Sequence, residues 1–230
     1  MNEIEPTASF FDFNLLAGEY DKWYETAEGR QYDMLEKRTL GRLIGKVQTG
    51  VSLLEVGMGT GWWSLFFSEL GYWVTGVDVS PNMVDVACLK NIPNACLEKA
   101  DGHKLPFADR SFSVSAAVTS IEFTRDPEMV VREMVRCIKP GGRLFLGLLN
   151  GDSPINKKRK EKGRNVFASA RFLTVQDIHT LLDSYGKSTI KLCAFPVSIK
   201  MPPSIAGMDD DFQACLKMAS GAFIAVKVDL

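Results

Sequence analysis

The sequence is poor in the residues that build metal and disulfide sites. Two histidines occur among 230 residues, and the five cysteines are scattered along the chain. With no Cys-x-x-Cys pair and no carboxylate cluster at ligand spacing, we predict no metal site and expect the thiols to stay reduced. The formal net charge of -1 excludes a global field that would attract nucleic acid or an anionic membrane, so any polyanion binding has to be local.

Long apolar runs are also missing. No stretch approaches the roughly 20 apolar residues of a membrane helix, and the first residues lack the basic and apolar regions of a signal peptide. We therefore expect a cytoplasmic protein without membrane insertion. Hydrophobic residues make up 46% of the chain and charged residues 24%, which is typical of a folded protein, and the length fits one domain.

Short apolar runs alternate with segments of helical periodicity. The runs that predict strands are Val51–Val56, Trp73–Val77, Cys96–Lys99, Phe112–Val118, Arg143–Leu149, Ser188–Phe195 and Ala222–Val228. Helices are predicted over Met34–Ile44, Trp62–Leu70, Ser80–Lys90, Pro127–Ile138 and Thr174–Tyr185. Such alternation predicts an α/β fold with a parallel, doubly wound sheet.

The single predicted domain, residues 1–230, has three parts. Residues 1–45 mix aromatic and charged side chains and predict a helical preface, whereas residues 46–150 hold the regular alternation of strands and helices. Residues 151–230 are interpreted as a substrate-side insertion followed by the late strands. Within the polar stretch from 150 to 164, which we expect to be exposed, six positive charges fall between Lys157 and Arg164.

A glycine loop follows the first predicted strand. Gly57, Gly59 and Gly61 stand where that strand feeds a helix, so backbone amides can approach a ligand without interference from Cβ atoms. The next strand ends at Asp78, where a doubly wound fold places a carboxylate that accepts hydrogen bonds from ribose hydroxyls. Together they predict a nucleoside site. Trp62 replaces the third glycine of the dinucleotide pattern, so an NAD-dependent oxidoreductase ranks last among the alternatives.

Five motifs in order give a resemblance to a known family. They are 54–61 (LEVGMGTG), 76–83 (GVDVSPNM), 100–102 (ADG), 105–112 (LPFADRSF) and 138–144 (IKPGGRL). With them, residues 15–150 resemble the class I methyltransferases that use S-adenosylmethionine, especially the type 11 group that includes ubiquinone and menaquinone biosynthesis enzymes. The fold then expected is a Rossmann-like, mostly parallel sheet of seven strands, with helices on both faces and a C-terminal antiparallel strand pair.

The resemblance also implies a set of cofactor contacts. The glycines would line the methionine part of S-adenosylmethionine, Glu55 would orient the loop, Asp78 would hold the ribose, and Met83 and Asp101 would meet the adenine. A preface segment similar to Tyr20–Tyr24 folds over the cofactor in this group, which makes Tyr20 a lid candidate. The implied contacts are Tyr20, Trp23, Glu55, Gly57, Met58, Gly59, Gly61, Asp78, Val79, Met83, Asp101, Gly102, His103 and Thr119.

The methyl acceptor is not identified by the sequence. Transfer from a sulfonium is an in-line displacement that alignment and exclusion of water accelerate. If a base is used, Glu122 is the candidate, with Tyr20 as a second catalytic candidate, although a loop glutamate is more often solvated. Ser113 and the stretch 121–123 depart from the group's usual pattern, which leaves the acceptor chemistry open.

Three functions remain as hypotheses. A small-molecule methyltransferase is favoured, while the basic stretch 157–164 suggests an RNA methyltransferase as one alternative. The other alternative is a protein that binds S-adenosylmethionine without catalysis. Tyr20, Trp23 and Tyr24 could equally pack in the core.

Overall fold

The computed structural model describes residues 9, 11–162, 166–194 and 221–230. The strands are β1 (Ser52–Val56), β2 (Trp73–Asp78), β3 (Ala95–Lys99), β4 (Phe112–Val118), β5 (Ile138–Leu149), β6 (Lys187–Cys193) and β7 (Phe223–Asp229). The α-helices are α1 (Lys22–Glu25), α2 (Ala27–Ile44), α3 (Trp62–Glu69), α4 (Pro81–Leu89), α5 (Pro127–Arg136), α6 (Pro154–Glu161) and α7 (Val175–Leu182). Short 3-10 helices cover Phe13–Leu15, Ile121–Phe123 and Val166–Ala168.

The described strands form one seven-stranded sheet in the order β3-β2-β1-β4-β5-β7-β6. Strands β1 to β5 pair in parallel, and β7 runs antiparallel to both β5 and β6. The order reverses beside β1, which is the place where a doubly wound sheet opens a crevice at the carboxyl ends of its strands. The predicted sheet with its antiparallel C-terminal pair is confirmed.

Helices cover both faces of this sheet, and two apolar layers hold them there. One layer packs α5 and α7 residues such as Val130 and Ile178 against Leu146 and Val226. The other packs α2 and α3 residues against the opposite face, where Phe145 and Phe223 are fully buried. A sheet buried on both faces explains why its central strands are nearly continuous apolar runs.

Capping side chains fix where the helices begin. Ser80 accepts a hydrogen bond from the Met83 N–H before Pro81, and Asp126 does the same for Met129 before Pro127. Proline at the first helical position loses no internal hydrogen bond, so each pair sets a sharp start. Both helices therefore begin where the sequence predicts them.

Two boundaries differ most from the prediction. Helix α2 begins at Ala27 instead of Met34, because the Thr26 hydroxyl accepts a hydrogen bond from the Gly29 N–H and caps a helix start that apolar periodicity does not reveal. The predicted turn at residues 139–142 lies inside β5, where a register shift against β4 accommodates it. Phe195, predicted to end a strand, lies outside the described residues.

The stretch from 150 to 164 was expected to be an exposed insertion, and this was wrong for its first part. Helix α6 forms there, and Asn150, Ser153 and Asn156 are fully buried. The Asn156 side-chain amide donates to the backbone carbonyls of Asn150 and Ala222, at 2.9 and 2.7 Å, which ties the helix to the end of the sheet. Arg164 lies outside the described residues. Among the helices described, none has the length and apolar character needed to span a bilayer.

Candidate functional site

A cleft lies at the carboxyl edge of the sheet, where β1, β2 and β4 end. It encloses about 690 Å³ of empty space, part of it open to solvent. Of the residues predicted to contact the cofactor, the cleft is lined by Tyr20, Gly57, Gly59, Asp78, Val79, Met83, Asp101, Gly102, His103 and Thr119. Segments far apart in the sequence therefore meet in one crevice because parallel strands deliver their ends to the same edge.

The glycine loop forms the floor of this cleft. Gly57 has φ +74°, and a Cβ at this position would stand 2.4 Å from the Cβ of Ser120. Gly59 has φ +54°, and a Cβ there would meet no heavy atom of the described residues within 4 Å, so on this part of the structure its backbone faces open space. Gly57 is therefore required by packing against the loop after β4, while Gly59 leaves room for a ligand close to the backbone.

Asp78 joins the glycine loop to the end of β2. Its Oδ2 accepts a hydrogen bond from the Gly59 N–H and its Oδ1 accepts one from the Ser80 N–H, both at 2.9 Å. Burial raises the pKa of this carboxyl above its ordinary value, and the N–H groups of Ser80 and Gly59 oppose that rise. Asp78 thus fixes the loop and at the same time presents an acceptor to the cleft.

Some residues predicted to contact the cofactor lie behind the cleft. Glu55 is 2% exposed and accepts a 2.5 Å hydrogen bond from the Ser64 hydroxyl of α3, and burial raises its pKa to about 8. Met58 packs with Val84 beneath the loop. Gly61, at the start of α3, faces Ile92 of the core. These three residues support the loop from below.

Asp101 and His103 form a hydrogen-bonded pair at the far wall. Asp101 Oδ1 accepts from the His103 backbone N–H at 2.9 Å and lies 2.7 Å from His103 Nδ1. Since His103 Nε2 accepts from the Asp126 N–H at 3.3 Å, the ring proton belongs on Nδ1. His103 therefore serves to position the Asp101 carboxyl, whose Oδ2 takes no part in these bonds.

The N-terminal segment, defined as residues 11–25, crosses the open side of the cleft. Asn14 Oδ1 accepts a hydrogen bond from the Ser80 hydroxyl at 2.8 Å, and Asp21 lies 2.6 Å from Lys90 Nζ. The Tyr24 ring stacks on Trp62 with centroids 4.2 Å apart. Polar and aromatic contacts thus hold this segment over the glycine loop.

Tyr20 lies in that segment at the boundary between two spaces. Burial raises its pKa to about 12, and hydrogen bonds with the side chains of Tyr24 and Thr119 act in the opposite direction. Thr119 follows β4 with φ +47°, a conformation rarely adopted by β-branched residues. The contact between Tyr20 and Thr119 therefore links the N-terminal segment to the end of β4, in the middle of the sheet.

A second space, called the second cavity, adjoins the cleft and encloses about 930 Å³ of empty space, part of it open to solvent. It shares Phe13, Tyr20, Thr119 and Phe123 with the cleft. Its remaining lining is Leu16, Glu19, Trp23, Tyr24, Glu36, Leu149, Arg159, Val166 and Phe167. Trp23, predicted to touch the cofactor, is found here and not in the lining of the cleft.

Glu122, the predicted base, does not lie in a solvated loop. It belongs to a 3-10 helix, is fully buried, and its Oε1 accepts a 2.5 Å hydrogen bond from the Leu149 N–H. Burial raises its pKa to about 7. It lines neither the cleft nor the second cavity. The expectation of an exposed glutamate was therefore wrong. The hydrogen bond from the Leu149 N–H attaches the Glu122 side chain to β5.

Sequence reasoning missed several lining residues. Phe13 and Phe123 meet edge to face with centroids 5.1 Å apart, and they close the end of the cleft. The Ser120 hydroxyl donates a hydrogen bond to the Val56 carbonyl at 3.0 Å. Glu36 and Arg159 enter the second cavity from α2 and α6. The sequence gives no signal that singles them out, because Glu36 lies in a helix rich in charges and Arg159 in a basic run, and solvated helices share both patterns.

The fold and the cleft define a doubly wound α/β protein with a nucleoside-type site. Comparison with known families agrees: the model described as "Methyltransferase domain" matches residues 54–146. An uncharacterised protein of Methanocaldococcus jannaschii is 30% identical over 181 residues, which cover 78% of this chain and 82% of that protein. The demethylmenaquinone methyltransferase of Lactococcus lactis is 34% identical over 139 residues, covering 57% and 54%.

A solved structure shares this fold. It is a chain from Thermotoga maritima described as a SAM-dependent methyltransferase and possible histamine N-methyltransferase. It superposes with a TM-score of 0.71 at 23% identity, covering 94% of this chain and 97% of that one. The chain belongs to the class I S-adenosylmethionine-dependent methyltransferases, and S-adenosylmethionine is its cofactor. The open backbone at Gly59 and the acceptor oxygens of Asp78 fit the group that this family binds.

Proposed function

We propose that the protein methylates a small-molecule acceptor, which binds in the second cavity while the N-terminal segment closes the cofactor cleft. The second cavity is accordingly called the acceptor cavity. The observation that carries this proposal is the wall of four residues common to both spaces. A methyl group held against that wall from one side would face an acceptor on the other. Phe13, Tyr20, Thr119 and Phe123 are the residues at this junction.

The cofactor would be held by the loop, the acid after β2 and the far wall. The Gly57 to Gly59 backbone and Asp78 would bind its polar groups, and Met83 and Asp101 would lie beside the adenine. When bound, S-adenosylmethionine supplies an electrophilic methyl group on a positively charged sulfur. The aromatic rings of Phe13, Tyr20 and Phe123 would keep water from this group, which favours alignment over hydrolysis.

The cavity lining supports an acceptor that is small and has a mostly apolar body. Six aromatic side chains and three aliphatic ones surround a space suited to a compact organic molecule. The similarity to a demethylmenaquinone methyltransferase supports an acceptor of this general kind. Because this similarity covers only part of each chain, it does not identify a particular acceptor.

The RNA alternative receives less support from the described part of the basic stretch. Arg159 turns inward over the rings of Tyr32 and Phe167. The Lys160 ammonium donates to the Ala170 carbonyl at 3.0 Å. These contacts leave a smaller exposed positive patch than the six charges in the sequence suggest.

Methyl-labelled cofactor tests the proposal. The protein is mixed with methyl-tritiated S-adenosylmethionine and a cell extract that has been separated into small-molecule, protein and RNA fractions. We expect label to appear in the small-molecule fraction. Label confined to RNA would support the alternative, and no transfer to any fraction despite cofactor binding would support a non-catalytic role. A variant with Asp78→Ala provides the control for transfer that depends on this site.

A further inference from the structure

Glu36 is a buried acid in the wall of the acceptor cavity. It lies in the middle of α2, is 6% exposed, and lines the cavity beside Tyr20 and Tyr24. Within the described parts of the chain, its carboxyl takes part in no hydrogen bond or ion pair. A buried carboxyl without a polar partner is costly, and it gains most from a ligand that brings a donor or a positive charge.

The rest of the cavity wall is rich in aromatic rings. These are Phe13, Tyr20, Trp23, Tyr24, Phe123 and Phe167. Faces of such rings attract cations through their quadrupole, and the attraction strengthens when the cation is removed from water. A carboxyl group surrounded by aromatic rings is the combination that recognises an organic ammonium ion attached to an apolar body.

Charged groups around Glu36 act in both directions. Burial is the largest influence on the pKa of Glu36 and brings it to about 8. Among the neighbouring charges, Arg159 and Lys37 lower this pKa, whereas Asp33 and Glu122 raise it. The tyrosines facing it are Tyr20, Tyr24 and Tyr32.

Both neighbouring cations have acidic partners of their own. Lys37 lies 3.0 Å from Asp33. Arg159 lies over the Tyr32 ring and 3.9 Å from Glu28 at the outer side of α2. A cationic ligand beside Glu36 would therefore meet a positive field that is already partly compensated.

We propose that the methyl acceptor is a small, ring-bearing amine, bound as its ammonium ion between the Glu36 carboxylate and the aromatic rings of the acceptor cavity. The inference rests on the proposed function, because it assigns a substrate class to the same cavity. It goes further in naming Glu36 as the residue that recognises the acceptor.

The same carboxylate completes the chemistry of transfer. A proton passes from the ammonium nitrogen to a Glu36 oxygen, which leaves a neutral amine with a free electron pair. The nitrogen forms a bond to the methyl carbon while the carbon–sulfur bond breaks and its electron pair stays on sulfur. The products are a protonated N-methylamine, a neutral sulfide and the Glu36 carboxylic acid. The proton on Glu36 passes to solvent before the carboxylate can take part in the next cycle.

Binding has a proton signature of its own. Free Glu36 is largely protonated near neutral pH because its pKa is about 8. An ammonium ligand stabilises the carboxylate, so its binding at about pH 7 should release close to one proton. A ligand of the same shape with no charge should release none.

The experiment uses three probes that share a benzene ring and a short chain: phenethylamine, phenylpropanoate and para-ethylphenol. Binding to the full-length protein is measured by calorimetry with saturating S-adenosylhomocysteine, in two buffers of different ionisation enthalpy. We expect phenethylamine to bind roughly tenfold more tightly than the other two and to release about one proton. Glu36→Gln should weaken phenethylamine roughly tenfold, whereas Glu69→Gln, an exposed acid of α3, should leave it unchanged.

Three results would overturn the amine assignment: no binding of phenethylamine, tighter binding of phenylpropanoate, or full retention of amine affinity by Glu36→Gln. If that variant fails to fold, the proton count on the unmodified protein decides, because binding without proton release contradicts the role of Glu36. Failure here combined with label in the small-molecule fraction would leave the proposed function standing. If neither experiment gives its expected result, the assignment of this cavity as the acceptor site is refuted as well.

Discussion

Asp21 in the N-terminal segment accepts a 2.6 Å hydrogen bond from the hydroxyl of Thr60 in the glycine loop. Its second oxygen lies 2.6 Å from Lys90 Nζ at the end of α4. One carboxylate therefore connects the preface both to the loop and to the helix that follows Asp78. The half-buried pair with Lys90 is shielded from solvent more than a surface ion pair is.

Replacing Asp21 should loosen the cover over the cleft without unfolding the sheet. Asp21→Ala removes both contacts, so we expect the affinity for S-adenosylhomocysteine to fall roughly fivefold, in keeping with about 1 kcal/mol for a charge-assisted contact. Calorimetric titration measures this change. Glu25→Ala, an exposed acid of the same segment, is the matched control. Equal affinities in the two variants would show that the segment does not support the cofactor.

Asp78 should matter for both the loop and the ligand. Asp78→Ala removes the acceptor for the Gly59 and Ser80 N–H groups and the oxygens that face the cleft. We expect S-adenosylhomocysteine binding to weaken by roughly a hundredfold, because two or more hydrogen bonds to a charged group are lost. Asp85→Ala on the exposed side of α4 should bind normally. A measured loss below about threefold would contradict the role assigned to Asp78.

The two loop glycines should fail in different ways. Gly57→Ala places a Cβ 2.4 Å from that of Ser120, so we expect a strong loss of thermal stability through overpacking. Gly59→Ala meets no neighbour among the described residues, and we expect a stability cost of about 1 kcal/mol from its positive φ together with a larger loss of cofactor affinity. Melting temperatures and titrations of both variants separate these effects. Similar stability of the two would contradict the packing argument.

Glu55 should make stability depend on pH. Its pKa in the folded protein is about 8, above the ordinary 4.5. Between these two pH values the Glu55 carboxyl is protonated in the folded state and ionised in the unfolded state. The stability this provides is full below about pH 4.5 and is lost as the pH rises to about 8, with a limiting slope of about 1.4 kcal/mol per pH unit.

Glu55→Gln keeps an oxygen for the Ser64 hydroxyl and removes the titration. We therefore expect urea unfolding at a series of pH values to show a flatter stability curve for this variant than for the unmodified protein. Some slope should remain, because burial also raises the pKa of Glu36 and Glu122. Glu69→Gln should reproduce the original slope. Parallel curves for the Glu55 variant would refute the assignment.

Local signals were enough for the alternation of strands and helices, for the parallel core of the sheet and for the glycine loop with Asp78. The glycine loop and Asp78 are recognisable because a strand end, a turn and a helix start stand within a few residues of one another. Caps such as Ser80 with Pro81 fixed helix starts in the same way. The contacts assigned to individual cofactor residues rest on the family resemblance and stay predictions.

Long-range contacts were not predictable from the same signals. Nothing in the local sequence pairs Asp21 with Thr60, since 38 residues separate them. Glu36 has the pattern of an ordinary helical acid, and its burial depends on how α2 crosses the cavity. Glu122 appeared exposed because its neighbours suggest a loop, whereas a 3-10 helix turns its side chain toward the Leu149 N–H.

The wall shared by the cleft and the acceptor cavity has an energetic consequence. A shift of Tyr20 on one side would change the shape of the other, so we expect occupation of the two spaces to be coupled. By thermodynamic linkage, any factor by which the cofactor strengthens acceptor binding must equal the factor by which the acceptor strengthens cofactor binding. After transfer the cleft would hold a neutral sulfide in place of the positively charged cofactor. The same linkage would then determine how tightly the methylated molecule is held and how readily it leaves.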